Sequence, residues 1–236
     1  MTNEESQTRI ELAAAYRLVH KFSWDDVIFT HLSAKIPDTE HFLINQYGLR
    51  FDEITASNLV KVDLHGNVME GGIINPAGFV IHSAIHEARP DVHCIIHTHT
   101  KEGIAVSADS RGLLPISQQS AIVLKNLAYH DYQGIVVDDK EKEDLKRNLG
   151  KKNFLILRNH GLLTAHESIP SAFRAMYHLQ RACEMQVLCN TNHINLIPQE
   201  AMDNFQNRSD GFTNSTPSQN MLWEALIRTL DDSYKL

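Results

Sequence analysis

The stretch Cys94-Ile95-Ile96-His97-Thr98-His99-Thr100 constrains this chain more than any other. It reads as a strand, and side chains on a strand alternate between faces. His93, Ile95, His97 and His99 then share one face, while Cys94, Ile96, Thr98 and Thr100 share the other. Two imidazoles leave the end of a rigid element on the same side. Such an H-x-H pair offers a cation two nitrogen ligands, and a third must come from another element.

The remaining segments read as scaffold around that strand. Ile10, Ala13, Leu18 and Phe22 recur at helical spacing, predicting an amphipathic helix from about Glu4 to Phe22. Residues 30–36 alternate like a strand, with Phe42-Leu43-Ile44 as hairpin partner across Pro37-Asp38, and residues 60–64 form another strand closed by His65-Gly66-Asn67. Asn75 can cap a helix that starts at Pro76 and ends near Ala88, because Pro90 disfavours helical geometry at Arg89. After a weakly helical 102–108 and a mixed stretch to Tyr132, the reading gives a short strand at 134–137 and a charged helix over 140–149 stopped by Gly150. Phe154 to Leu157 is a continuous apolar strand. Ser168 caps a long helix to about Cys189, with Ala172, Met176, Leu179, Cys183 and Val187 as its buried stripe. Residues 204–218 read as a mobile polar loop, and 221–230 as a last amphipathic segment. Interspersed strands and helices with early hairpins point to an α/β or α+β layered domain around a largely antiparallel sheet, and 236 residues suit one domain, 1–236.

Charge and cysteine usage exclude several function classes. A net charge of -7 with no basic block argues against nucleic acid or an anionic membrane as partner. No run of about 18 apolar residues could span a bilayer, and the polar, acidic start lacks the features of a secretory signal, so the expected location is the cytoplasm. Cys94, Cys183 and Cys189, an odd number without CxxC spacing, read as reduced core residues. Fourteen histidines are unusual, and six of them, His82, His86, His93, His97, His99 and His160, lie on or near the elements above.

His160 follows the apolar strand directly in Arg158-Asn159-His160-Gly161, where a strand end could present a third ligand. Three histidines with one open position are a known catalytic zinc set. The competing reading makes H-x-H a polar alternation near a strand end and His160 a turn residue bonded to backbone; spacing alone leaves both open. His82 and His86, four apart on the predicted helix, could also bind a metal, but the zincin signature requires HExxH, and packing or a surface role is the alternative.

Residues 88–92 followed by His97-Thr98-His99-Thr100, then Asn159-His160-Gly161-Leu162, resemble the class II aldolase/adducin family. Within it the chain is most similar to the adducin head domain and its short bacterial relatives, in Asn75-Pro76-Ala77-Gly78-Phe79, Leu113-Leu114-Pro115-Ile116-Ser117, Tyr129-His130-Asp131-Tyr132 and residues 155–162. The similarity runs from the first helix to about Val187. The long cytoskeletal tail of adducins has no counterpart, which argues against a membrane-skeleton role. The resemblance implies a three-layer α/β/α sandwich around a mainly antiparallel sheet, a homotetramer with sites between subunits, and a divalent metal on His97, His99 and His160. Zinc is the expected ion, with Fe2+, Mn2+ or Co2+ as alternatives. In family aldolases that metal binds substrate hydroxyl and carbonyl oxygens and offsets the charge that develops as a carbon–carbon bond breaks.

Two departures from the family pattern matter. The glutamate that transfers protons in the sugar-phosphate aldolases lies four residues before a helix histidine; counting back from His82 gives Gly78, and Glu87 cannot be assumed to replace it. Such a group typically contributes about 10²- to 10⁴-fold, so the general acid/base is unknown; Tyr129 or Tyr132 of a neighbouring subunit, or a water, could compensate in principle. The phosphate-binding positions read Thr30-His31, Tyr47-Gly48 and Pro76-Ala77, which removes two donors. His31 could still bind an anion if protonated. His31, Gly48 and Asn75 are thus the candidate substrate-binding residues, for a small hydroxy- or keto-acid or sugar derivative rather than a sugar phosphate. Three functions follow: a metal-dependent lyase without the usual glutamate, a non-catalytic adducin-like binding or assembly protein, and an Fe(II)-dependent oxygenase on the same histidines.

Overall fold

The computed structural model describes residues 2–134, 139–189, 193–205 and 216–236. The first helix, α1 (Asn3–Lys21), is capped by the Thr2 side chain, which accepts from the Glu5 N–H. The hairpin β1 (His31–Lys35) and β2 (His41–Ile44) follows, then β3 (Val60–Asp63) and β4 (Val68–Glu70). Asn75 caps α2 (Pro76–Ala88), as its sequence requires, and β5 (Cys94–Thr98) leads into α3 (Lys101–Ala108). Next come α4 (Gln118–Leu124), β6 (Leu127–His130), α5 (Asp139–Leu149), β7 (Phe154–Leu157) and β8 (Gly161–His166). The long α6 (Ile169–Leu188), a helical stretch at 199–205 and α7 (Thr216–Ile227) follow.

The eight strands among the described residues form one sheet, β4-β3-β2-β1-β5-β8-β7-β6, antiparallel throughout except for the parallel β6–β7 pair. Helices cover both faces, as expected for an α/β/α sandwich. Cys94 and Ile96 of β5 join α1 and α6 in one core, while Ile95 joins Ile81, Ala84 and Ile85 of α2 and Leu145 and Leu149 of α5 in the other. A central strand buried on both faces reads as an apolar run, and β5 and β7 do so for this reason.

Several expectations change. β5 ends at Thr98, so His99 lies just past the strand rather than on it. The mixed stretch before Tyr132 contains α4 and β6, and the segment after His160 is β8; short elements with little periodicity gave no signal. Val187 is 39 % exposed, outside the buried stripe of α6, and Cys189 is exposed, so the core assignment holds only for Cys94 and Cys183. The strand expected at 134–137 falls, at 135–137, outside the described residues, as does 206–215 of the expected loop at 204–218; of the rest of that loop, 204–205 are helical and α7 already begins at Thr216. Among the described residues no helix is long and apolar enough to cross a membrane.

Candidate metal centre

β5 lies between β1 and β8 in the sheet, and this placement assembles the site. His31 pairs with His97 in the β1–β5 register, and His97 pairs with Leu163 on the other side. The turn joining β7 to β8 carries Asn159 in the left-handed region, φ 58°, which lifts His160 over the end of β5. Gly161 makes that approach possible. A Cβ there would lie 2.4 Å from the Thr98 carbonyl oxygen and 3.1 Å from Cδ2 of His99, so any side chain would force the turn away from the two histidines.

The three histidines proposed from sequence therefore meet, with one ligand atom from each all within 4.8 Å of one another. Nε2 of His97 and Nε2 of His99 are 2.9 Å apart, close to the spacing of about 3.3 Å that tetrahedral zinc imposes on two imidazole ligands. The opposite nitrogens are held by the protein. His97 Nδ1 lies 2.9 Å from the Leu162 carbonyl oxygen, and His99 Nδ1 lies 3.1 Å from Oδ2 of Asp26. Each partner accepts a hydrogen bond, which puts the proton on Nδ1 and leaves the Nε2 lone pair free for a cation. Burial keeps the His97 and His160 rings neutral. It pushes His97 well below the usual histidine range, aided by His99 and His160, and it lowers His160 to about 4. Three imidazoles gathered at one point suit a divalent metal.

The cleft in front of the trio is lined by Phe29, His31, Asn75, Ala77, Ile81 and Tyr132 among others, and encloses about 160 Å³. His31 and Asn75, two of the three candidate substrate residues, border it; Gly48 is not among its lining residues. His31 does not serve as a cationic anion site. It is 4 % exposed, and burial together with His82, His99 and His160 holds it well below the usual range, so it is a neutral ring at pH 7. Asn75 spends its side-chain oxygen on the Ala77 N–H.

His82 and His86 take the packing alternative. Both are buried on the inner face of α2, bonded to His31 and Ser33 rather than gathered with the metal trio. Tyr129 is also spoken for in its own chain: its hydroxyl accepts from the Leu113 N–H, and the Arg158 guanidinium lies over its ring. Glu87 pairs with Lys146 on α5 at 2.6 Å, away from the cleft. Asp26 was not anticipated, since nothing local in Trp24-Asp25-Asp26-Val27 announces a contact 73 residues away.

Comparison with known proteins identifies the family. The sequence profile of the Class II Aldolase and Adducin N-terminal domain matches residues 10–187. A provisionally named aldolase class 2 protein of Pseudomonas aeruginosa is 52 % identical over 233 residues, covering 96 % of this chain and 90 % of that protein. Alpha-adducin of Rattus norvegicus is 49 % identical over 189 residues, 78 % of this chain but 26 % of the adducin. The crystal structure of an aldolase II superfamily protein from Pseudomonas syringae superimposes with a TM-score of 0.95 at 44 % identity, over 100 % of this chain and 98 % of the other. With the fold, the site and these likenesses in agreement, the chain belongs to the class II aldolase/adducin family.

Proposed function

We propose that this chain is a metal-dependent lyase of the class II aldolase type, breaking a carbon–carbon bond by aldol cleavage or decarboxylation in a small hydroxy- or keto-acid or sugar derivative. His97, His99 and His160 hold the cation, with zinc the first choice for a three-nitrogen site. The observation that carries this reading is the fixing of two Nδ1 atoms, by the Leu162 carbonyl and the Asp26 carboxylate, because that arrangement directs two lone pairs at one point. A cation bound there supplies Lewis acidity to substrate oxygens. The chain itself does the rest: Phe29 and Ile81 give the cleft apolar walls, and His31 faces the substrate as a neutral ring. The cleft volume lies below the roughly 300–1,000 Å³ of sites for drug-sized ligands, in keeping with a small substrate.

The exposed aromatic rings of Phe29 and Tyr132 at the cleft mouth support a neighbouring subunit closing it, as in a cytoplasmic homotetramer with 1–236 as one working domain. A second reading, an adducin-like assembly protein that keeps the histidines without turnover, is favoured by one observation: no carboxylate side chain lines the described cleft.

Purification without chelator, followed by metal quantification, tests the centre. Stoichiometric zinc, lost in His97→Ala and His99→Ala with the oligomer unchanged, is the expected result; a metal-free chain sinks the lyase reading. Turnover of the metal-defined protein on a panel of hydroxy acids, keto acids and sugar phosphates separates lyase from assembly protein, and iron with oxygen-dependent turnover would replace both.

A further inference from the structure

A second cavity lies between α1 and α7, closed on one side by a 3-10 turn at Asp232–Lys235. On α1, Gln7, Ile10, Glu11 and Ala14 follow the i, i+3, i+4, i+7 spacing of one helix stripe, and Trp223 and Ile227, four apart on α7, line the same groove. Ala14 brings only a methyl group, which keeps the middle open. The space is about 430 Å³, against about 160 Å³ for the metal cleft, and the two share no lining residue. Small-molecule sites fall in the range of roughly 300–1,000 Å³.

The walls are fixed by the fold. Trp223 packs edge-on against Phe173 of α6, with ring centroids 6.0 Å apart, and Ile10, Trp223 and Ile227 rest on the main core while staying partly exposed. The turn is pinned from residues 56 and 57: the Ala56 N–H donates to the Tyr234 carbonyl and the Ser57 N–H to the Leu236 carbonyl, each at 2.9 Å. Apolar surface is thus held in water in a shape that a ligand body can cover.

The charges of the groove are unequal. Lys235 is matched twice, since its Nζ lies 2.6 Å from Oδ1 of Asp232 and 5.7 Å from the centroid of the Tyr234 ring. Glu11 has no such match. Gln7 Nε2 donates to its Oε1 at 2.8 Å, and no cation pairs with this carboxylate among the described residues. A neutral amide orients a carboxylate without cancelling its charge. One uncompensated negative charge therefore stands beside aromatic rings whose faces are also negative. The Lys235 ammonium over Tyr234 is an example, within the chain, of the group such rings accept.

We propose that this groove binds a small organic cation, an ammonium group on an apolar body, with the charge at Glu11 and the body against Ile10, Ile227 and Trp223. An anion would meet the Glu11 carboxylate, and a neutral molecule of the same shape would leave its charge unused. The site stands independently of the lyase reading.

Phenethylammonium, phenethyl alcohol and 3-phenylpropionate share a phenyl ring on a short chain and differ in charge. Each is titrated into the full chain, zinc-loaded and metal-free, while the indole N–H resonances are followed. The chain has two tryptophans, and the Trp223 signal is the one lost in Trp223→Phe. The expected result is a saturable shift of Trp223, the same with and without zinc, with the ammonium bound about tenfold more tightly than the alcohol and the carboxylate weakest. Glu11→Gln should bring the ammonium down to the affinity of the alcohol and leave the alcohol unchanged, whereas Trp223→Leu should weaken both. Equal affinity for the three probes, a preference that survives Glu11→Gln, or no shift of Trp223 overturns the proposal. A zinc-dependent titration would put the probe at the metal centre and overturn it too. A Trp223 shift that follows protein concentration rather than probe would assign the groove to a second copy of the chain instead.

Discussion

A Cβ placed on Gly78 would lie 2.4 Å from Cδ2 of His31 and 2.9 Å from its Cγ, so the space beside Gly78 is closed by an imidazole from the neighbouring strand. His31 cannot swing aside freely, because His82 holds its Nδ1. Gly78→Ala should therefore destabilise the protein by about 1–3 kcal/mol through overpacking, less up to about 1 kcal/mol from better helix propensity. Urea unfolding checks the sign. In a His31→Ala background the same change should become neutral or stabilising, and that coupling is what distinguishes a local clash from general damage to α2. Gly78→Glu alone should not produce sugar-phosphate aldol cleavage, since the new side chain meets the ring before it meets a substrate.

Gly161 is the second position where a hydrogen is all the fold allows. Its Cβ would strike the backbone oxygen of Thr98, which cannot rotate away as a side chain could. Gly161→Ala should cost on the order of 1–3 kcal/mol and separate β8 from the end of β5. Metal retention is the sensitive measurement: the variant should lose bound zinc at temperatures where circular dichroism still reports a folded chain. Undiminished zinc would mean that His160 is not positioned through this close approach.

Periodicity and capping make much of the fold legible in the sequence. α1, α2 and the start of α6 follow from apolar spacing, Asn75-Pro76 and Ser168, whereas His160 as the third member of the H-x-H group comes from the family resemblance, since spacing alone leaves it open. What stayed hidden was long-range. Nothing in residues 30–36 shows that His31 will face His82, since strand pairing and helix docking decide it, and the same holds for Asp26 against His99. The space beside Gly78 gave no sign in the sequence of being filled. The filling residue lies 47 positions earlier in the chain.

Buried histidines make stability pH-dependent. His86 is lowered to about 3 and His82 well below its usual range, in both cases chiefly by burial, whereas both titrate near 6.5 once unfolded. Below that value the unfolded chain binds more protons than the folded one, so stability falls as pH falls. The full contribution is present above about pH 6.5 and is lost progressively down to the folded values, at about 1.4 kcal/mol per pH unit for each such histidine. Urea midpoints of metal-free protein between pH 7.5 and 5 should drop accordingly. His86→Gln should show a shallower slope, and an unchanged slope would mean that His86 is not carrying the linkage.

Asp26 reaches His99 from a connection shaped by two left-handed residues, Ser23 at φ 57° and Val27 at φ 53°. A β-branched residue in that region is strained, and Val27 has no packing to repay it, being 58 % exposed. The backbone bends to bring a carboxylate to Nδ1 of His99, where it fixes the ring's tautomer and orientation. Asp26→Asn should weaken metal affinity by about 10- to 100-fold in a chelator competition while leaving unfolding midpoints of the metal-free chain nearly unchanged. Val27→Asn should do the reverse, raising stability by about 1 kcal/mol with metal affinity intact, because asparagine tolerates the left-handed region. If Asp26→Asn left affinity untouched, the carboxylate would be only a surface partner of a histidine. The strain at Val27 would then be unexplained by the metal centre.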